Sequence, residues 1–302
     1  MFRLVSQIRD ATLNEFRVAG LGVAEFEKLR TLDVSDLVIV YMNWRNRRVL
    51  QRPRRIHLSR QLKDNPSFQI HEAVVRKLMG MAQSGGDFGP YLSKAVRKYP
   101  YVLGTTSATK DKDHLLNDWG IHHLHLGAKT DADESEYVKR TKELLFVIFA
   151  ELDAYFIDIG EHRFADRSLA ETVVSNWPAA ELIVELKGIL PPSVKDQWKP
   201  EEVVSIRKGG IASYIPIGDK VYLSLRGGLT TAGTSQLVSR RAMDIFRVLR
   251  ALEKAVKEAR GTPLTFNGVH LPRRPRLEFR WTPGSALVLE VTSGLVIAEW
   301  AV

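Results

Sequence analysis

The sequence predicts an α+β protein of two units, a first at 1–190 with a small antiparallel sheet and helices, and a second α+β unit at 200–302. Three observations carry that prediction. Short apolar runs rich in Val, Ile, Leu and Phe recur at 121–126, 144–149 and 154–159 and again over 275–300. Longer stretches at 71–82 and 239–260 repeat their apolar residues with helical spacing. Between these groups the stretch GILPPSVKDQWKP at 188–200, with three prolines and several turn residues, marks a joint.

Length and composition agree. At 302 residues the chain has room for two domains of roughly 100–200 residues each. Hydrophobic residues at 44% and charged residues at 26% are globular proportions, which excludes wholesale disorder and fibrous classes. There are no cysteines. Disulfide frameworks, thiolate zinc sites, iron–sulfur clusters and cysteine nucleophiles are therefore excluded. No apolar stretch approaches the ~20 residues that span a bilayer. The amphipathic start MFRLVSQIRDATLNEF lacks the apolar core of a secretory signal. A soluble cytoplasmic protein is the expectation.

In chain order, 1–17 and 21–31 read as short helices, the second on the spacing of Val23, Phe26 and Leu29. DLVIVYM at 36–42 reads as a strand and 54–59 as its partner, with NWRNRR and QRP as turn and edge chemistry between them. A helix is expected at 71–82, then a glycine-rich break through Gly80, Gly85, Gly86 and Gly89, then a short helix at 91–98. IHHLHL, LLFVIF and AYFIDI read as a meander of three strands. The middle one is short and continuously apolar, so it is buried on both faces. The acidic AKTDADESE after the first reads as an exposed loop, and 167–174 as a short helix. The second unit is expected to hold strands near 211–216 and 221–225, a helix at 239–260, and strands near 275–281, 286–291 and 294–300.

The net charge is +9, and residues 189–302 carry 17 basic against 10 acidic residues. A second basic concentration comprises Arg45, Arg47, Arg48, Arg52, Arg54, Arg55 and Arg60, a span without an acid, with Trp44 at its head and His57 inside it. Arginine makes bidentate contacts to phosphate, and a neighbouring aromatic can stack on a base. The pattern points to a ribbon that binds a polyanion, RNA or DNA. The plainer reading is a solvated hairpin whose arginines pair with acids elsewhere.

Seven of the eight histidines lie between 57 and 162, three of them in GIHHLHLG. Side chains alternate along a strand, so His123 and His125 share one face about 7 Å apart, while His122 joins Leu124 and Leu126 on the core side. His162 and Arg163 follow the last strand of the meander, and Lys139, Arg140 and Lys142 lead into the middle one. Two chemistries suit this set. In metal-independent RNA cleavage a base takes the 2′-hydroxyl proton, an acid protonates the leaving 5′-oxygen, and cations surround the phosphate. Histidine titrates near neutral pH and can fill either proton-transfer role. His123, His125 and His162 are the candidates there, with Arg140 and Arg163 as phosphate stabilisers. In a metal site, His123 and His125 with His162 or Asp118 would be the ligands. Trp119 reads as a core anchor and Glu161 as a surface residue.

The segments GIHHLHLG, ELLFVIF and AYFIDIGEHR resemble the core meander of RelE-like toxins, over about 45 residues. The closing Ile159-Gly160-Glu161-His162-Arg163 carries one acid inserted into the Ile-Gly-His-Arg type of ending. The resemblance implies a bacterial ribonuclease that cleaves mRNA and is held by an antitoxin protein. The expectation is therefore a metal-independent endoribonuclease of toxin type, with RNA as substrate, no cofactor and no membrane association. Its rivals are a metal-dependent hydrolase or nuclease using His123 and His125, and a non-catalytic nucleic-acid-binding regulatory protein.

Overall fold

The computed structural model describes residues 4–93, 113–128, 136–161, 167–193, 197–211, 214–224 and 227–301. The protein is of the α+β class, with helices and several small sheets. It divides into two compact units, but not at the proline-rich joint. The first unit is built from the two ends of the chain, within 1–46 and 238–302, and the second from residues within 47–237. The joint at 188–200 falls inside the second unit. The physical reason is a strand pairing across it, Ile183 against Ser224 and Glu185 against Tyr222.

In the first unit, α1 (Leu4–Val18), α2 (Val23–Arg30), α3 (Val34–Asn46) and most of α9 (Gln236–Glu258) surround a three-stranded antiparallel sheet. Its strands are β10 (Leu277–Trp281), β11 (Ser285–Glu290) and β12 (Val296–Ala301). The run 36–42, expected as a strand, is the middle of α3. A short apolar run without alternation fits a buried helix as well as a strand. The Asp33 carboxylate decides for the helix by accepting from the amides of Ser35 (2.6 Å) and Asp36 (3.1 Å). Leu37, Val38, Val40, Tyr41, Met42 and Trp44 are all buried, so the helix is apolar on most sides. Gln7 of α1 closes the free edge of β10, accepting from the Phe279 amide and donating to the Leu277 carbonyl. The β8 (Leu264–Phe266) to β9 (Val269–Leu271) hairpin turns through Asn267 and Gly268, both at positive φ. The amphipathic helix and final strands expected for the C-terminal stretch are present.

The second unit carries a four-stranded sheet in the order β1 (Arg55–Leu58), β4 (Asp153–Gly160), β3 (Leu144–Phe149), β2 (His122–His125). The meander β2–β3–β4 is antiparallel as expected. β1 instead joins β4 in parallel, having no strand at 36–42 to pair with. On one face, α5 (Pro66–Ser84) contributes Val75, Leu78 and Ala82 against Leu124, Leu145, Val147 and Phe156. On the other, α6 (His114–Trp119) and α7 (Ser168–Asn176) contribute Leu115, Trp119, Leu169 and Val173 against Phe146, Ile148, Tyr155 and Ile157. Asn65 caps α5 and Pro66 opens it, while Gly85 ends it at φ 79°, close against the backbone of Arg52. Gly80 lies within α5 rather than breaking it. The short α4 is Arg60–Asp64. A smaller sheet runs β5 (Ile183–Glu185), β7 (Lys220–Ser224), β6 (Ile215–Ile217), with α8 at Pro200–Lys208. The helix expected at 91–98 and the acidic loop fall largely outside the described residues. No helix among the described residues is long and apolar enough to cross a membrane.

Candidate active site

The sequence of β2 sorts its imidazoles by face. His122 is buried with Leu124 and Leu126, its ring edge-on to Phe149 at 5.4 Å, the packing role expected for it. His123 and His125 share the other face, ring centroids 6.5 Å apart and planes at 76°. Their cross-strand partners are Phe146 and Leu144. That face is a second core layer rather than open sheet, because α6 and α7 cover it. His125 is accordingly 7% exposed, while His123 is half-buried.

Three strand ends converge beside His125. It lies opposite Leu144, which lies opposite Gly160. Thr141 fastens the corner, taking the Leu126 amide on its hydroxyl (2.9 Å) and donating to the Glu143 carbonyl (2.6 Å). The Thr141 amide approaches His125 Nδ1 at 3.4 Å. Next to it, Lys142 pairs with Glu161 at 2.7 Å, which keeps Glu161 a surface residue. Glu143 accepts from the Ser67 hydroxyl and lies 2.9 Å from His71 Nε2. These two contacts, Ser67 foremost, hold its carboxyl below the ordinary carboxylate range. Arg140 donates to the Leu92 carbonyl at 3.1 Å. His162 and Arg163 lie outside the described residues, immediately after Glu161. The structure thus gathers His123, His125 and the 140–143 segment at one sheet end. Through Glu143 it also ties in Ser67 and His71 of α5, on the other face of the sheet; the sequence places His71 at the start of the expected 71–82 helix and leaves Ser67 outside it. Their signal was a spacing of four residues on one face of α5.

The opposite end of the same face holds a cluster that sequence reasoning missed. His57 Nε2 lies 2.7 Å from Asp153 Oδ1, and Arg55 grips Asp153 through two bonds of 2.9 Å. The parallel β1–β4 register makes this possible by setting Arg55 beside Asp153 and His57 beside Tyr155. The His57 and Tyr155 rings stack at 4.7 Å, and Trp177 meets Tyr155 edge-on at 5.0 Å. Arg55 first, then His57, lower the Asp153 carboxyl below its ordinary value.

The arginine-rich span is not the continuous exposed ribbon that composition suggested. Arg47 is 2% and Arg54 is 7% exposed. Arg54 donates to the carbonyls of Ala150, Leu50 and Arg52 and lies over the Phe149 ring. Burial, with Arg52 adding repulsion, pushes its guanidinium down to about 10. Arg52 pairs with Glu151 and Arg55 with Asp153. In the first unit, Arg45 donates to the Thr282 and Pro283 carbonyls beside Trp281. Arg54 and, in part, Arg45 are drawn in from solvent because each guanidinium serves more than one backbone carbonyl. Arg48, Arg55 and Arg60 stay exposed.

Trp119 is buried as expected. Asp118, considered as a metal ligand, instead takes Arg207 Nε at 2.7 Å. Among the described residues no group of three or more His, Asp or Glu side chains could hold a metal ion. No protein-family model, curated protein or solved structure matches the chain.

Proposed function

We propose that the second unit is a metal-independent endoribonuclease of toxin type, working at the sheet end where β2 and β4 finish and β3 begins. The observation that supports this best is the register His125–Leu144–Gly160. It sets the two-imidazole face of β2 beside the Arg140–Glu143 segment and the chain leading to His162. One imidazole takes the 2′-hydroxyl proton, and the 2′-oxygen attacks phosphorus to form a 2′,3′-cyclic phosphate. The P–O5′ bond breaks, and the leaving 5′-oxygen takes a proton from a second imidazole. His123, half-buried, is the more accessible member of the β2 pair. Arg140, Lys142 and Arg163 supply positive charge for the crowded phosphate. Exposed Arg48 and Arg55 hold RNA, and an antitoxin protein is the expected partner.

The test is decay of a labelled single-stranded RNA by the full chain in excess chelator. The wild-type chain should cleave, and the His123→Ala, His125→Ala double variant, folded by circular dichroism, should lose at least a hundredfold in rate. A folded double variant that cleaves at the wild-type rate overturns the assignment. The burial of His125 favours a second reading, a non-catalytic RNA-binding protein. It is distinguished by RNA binding without cleavage.

A further inference from the structure

Beyond the imidazoles, the aromatic stack at the Asp153 end of β4 leads into a cavity of about 380 Å³. Its walls include Trp177, Tyr222, Val173 and Ile183, and its rim includes Glu181 and Lys187. The volume lies within the ~300–1,000 Å³ typical of small-molecule sites. Several features make it a built site rather than a surface dent. Trp177 is held edge-on by Tyr155, which is itself stacked on His57, so the indole wall is fixed before anything binds. Glu181, a residue with a side chain, is in the left-handed region at φ 49° and ψ 30°. Such strain persists only where surrounding structure imposes it, and it concentrates at ligand clamps. Lys220 and Glu185 at the rim neutralise one another at 2.9 Å. Among the described residues Glu181 and Lys187 make no ion pair, so one acceptor and one cation face the opening uncommitted.

We propose that this cavity binds one base of a single-stranded RNA, as a subsite of the cleavage reaction proposed above, on which the inference rests. A flat aromatic heterocycle matches a rigid indole wall, and stacking on it is tolerant of base identity. The Glu181 carboxylate accepts from an exocyclic amine, and Lys187 meets a backbone phosphate. The placement agrees with a strand running along the sheet. The seven residue-to-residue steps of β4 separate the Asp153 end from the Gly160 end by about 23 Å at the usual rise per residue, a span of several nucleotides. Exposed Arg55 stands at the Asp153 end to meet the intervening backbone.

The experiment is fluorescence anisotropy with a fluorescein-labelled 2′-O-methyl octacytidylate, which has no 2′-hydroxyl to attack, so binding is read without cleavage. The full wild-type chain should bind it, Trp177→Ala should weaken binding at least fivefold, and Trp177→Phe should stay within twofold of wild type. Lys187→Glu, at an exposed position, should also weaken it at least fivefold and serves as the test if Trp177→Ala does not fold. A folded Trp177→Ala chain that binds as wild type overturns the proposal, as does unchanged binding by Lys187→Glu. Binding of cytidine monophosphate as tight as the octamer also overturns it, by assigning the cavity to a free nucleotide. A wild-type chain that shows these binding effects but does not cleave RNA would overturn the catalytic reading alone.

Discussion

Arg207 and Asp118 form an ion pair of 2.7 Å with both side chains sealed from solvent, 1% and 0% exposed. The guanidinium carbon also lies 4.3 Å from the centre of the Trp119 ring. This joins α8 to α6, immediately before the histidine strand. Removing one partner strands a buried charge, at a typical cost of ~3–5 kcal/mol. Asp118→Ala should lower the urea midpoint accordingly, while the double replacement Asp118→Leu, Arg207→Met should lose less. A double variant as unstable as the single one would show that desolvation of the surviving charge is not the cause.

Glu290 ties the β11–β12 turn together. It accepts from the amides of Arg276 (2.9 Å) and Ser293 (2.7 Å) and from the Ser293 hydroxyl (2.8 Å). Burial alone would raise its pKa, but the donors outweigh burial and hold it at about 2, below the ordinary 4.5. A depressed carboxyl stabilises the fold above its unfolded pKa and loses that contribution as pH falls toward the folded value. The contribution is roughly 3 kcal/mol, fully present above about pH 5 and largely lost near pH 2. Stability of wild type and Glu290→Gln, measured by denaturant titration, should differ at pH 7 and converge toward pH 2.

The two kinds of arginine in the 45–60 span should separate in a stability assay. Arg54→Ala removes the donors to three part-buried carbonyls, an effect of about 2–4 kcal/mol. Arg48→Ala, at an exposed position, should cost less stability than Arg54→Ala. RNA affinity should respond in the reverse order. Folded Arg48→Ala should flatten the salt dependence of binding by up to about one phosphate contact.

Gly127 lies two residues past the end of β2. A Cβ there would run into the Lys139 carbonyl oxygen and lie 2.9 Å from the Lys139 amide nitrogen. Backbone cannot yield as a flexible side chain does, so Gly127→Ala should push the 139–143 segment away from His125. On the proposed function, RNA cleavage should fall more than tenfold while the circular dichroism spectrum is retained. Full activity in that variant would show that the close approach is not needed for the site.

Expression in a bacterium should slow growth, and the His123→Ala, His125→Ala pair should relieve it. Growth curves with matched protein levels check this. Undiminished toxicity from a folded double variant would place the site elsewhere.

Some of this architecture was readable along the chain because its cause is local. LLFVIF is β3, a short, wholly apolar run of β-branched, Leu and Phe residues too short for a typical helix and buried along its length. The 239–260 pattern is α9 since its apolar residues recur once per turn. The pairing of His123 with His125 on one face follows from strand alternation alone. Other features depended on what lies across from a residue. DLVIVYM became helix because Asp33 caps it and its apolar sides have core to meet. His125 is buried because α6 and α7 cover a face that alternation by itself leaves open. Arg54 is internal because three carbonyls converge on it, and His57 meets Asp153 because β1 pairs in parallel with a strand 96 residues away. Periodicity sets which side of an element is apolar, but only the packed chain determines which surface covers it.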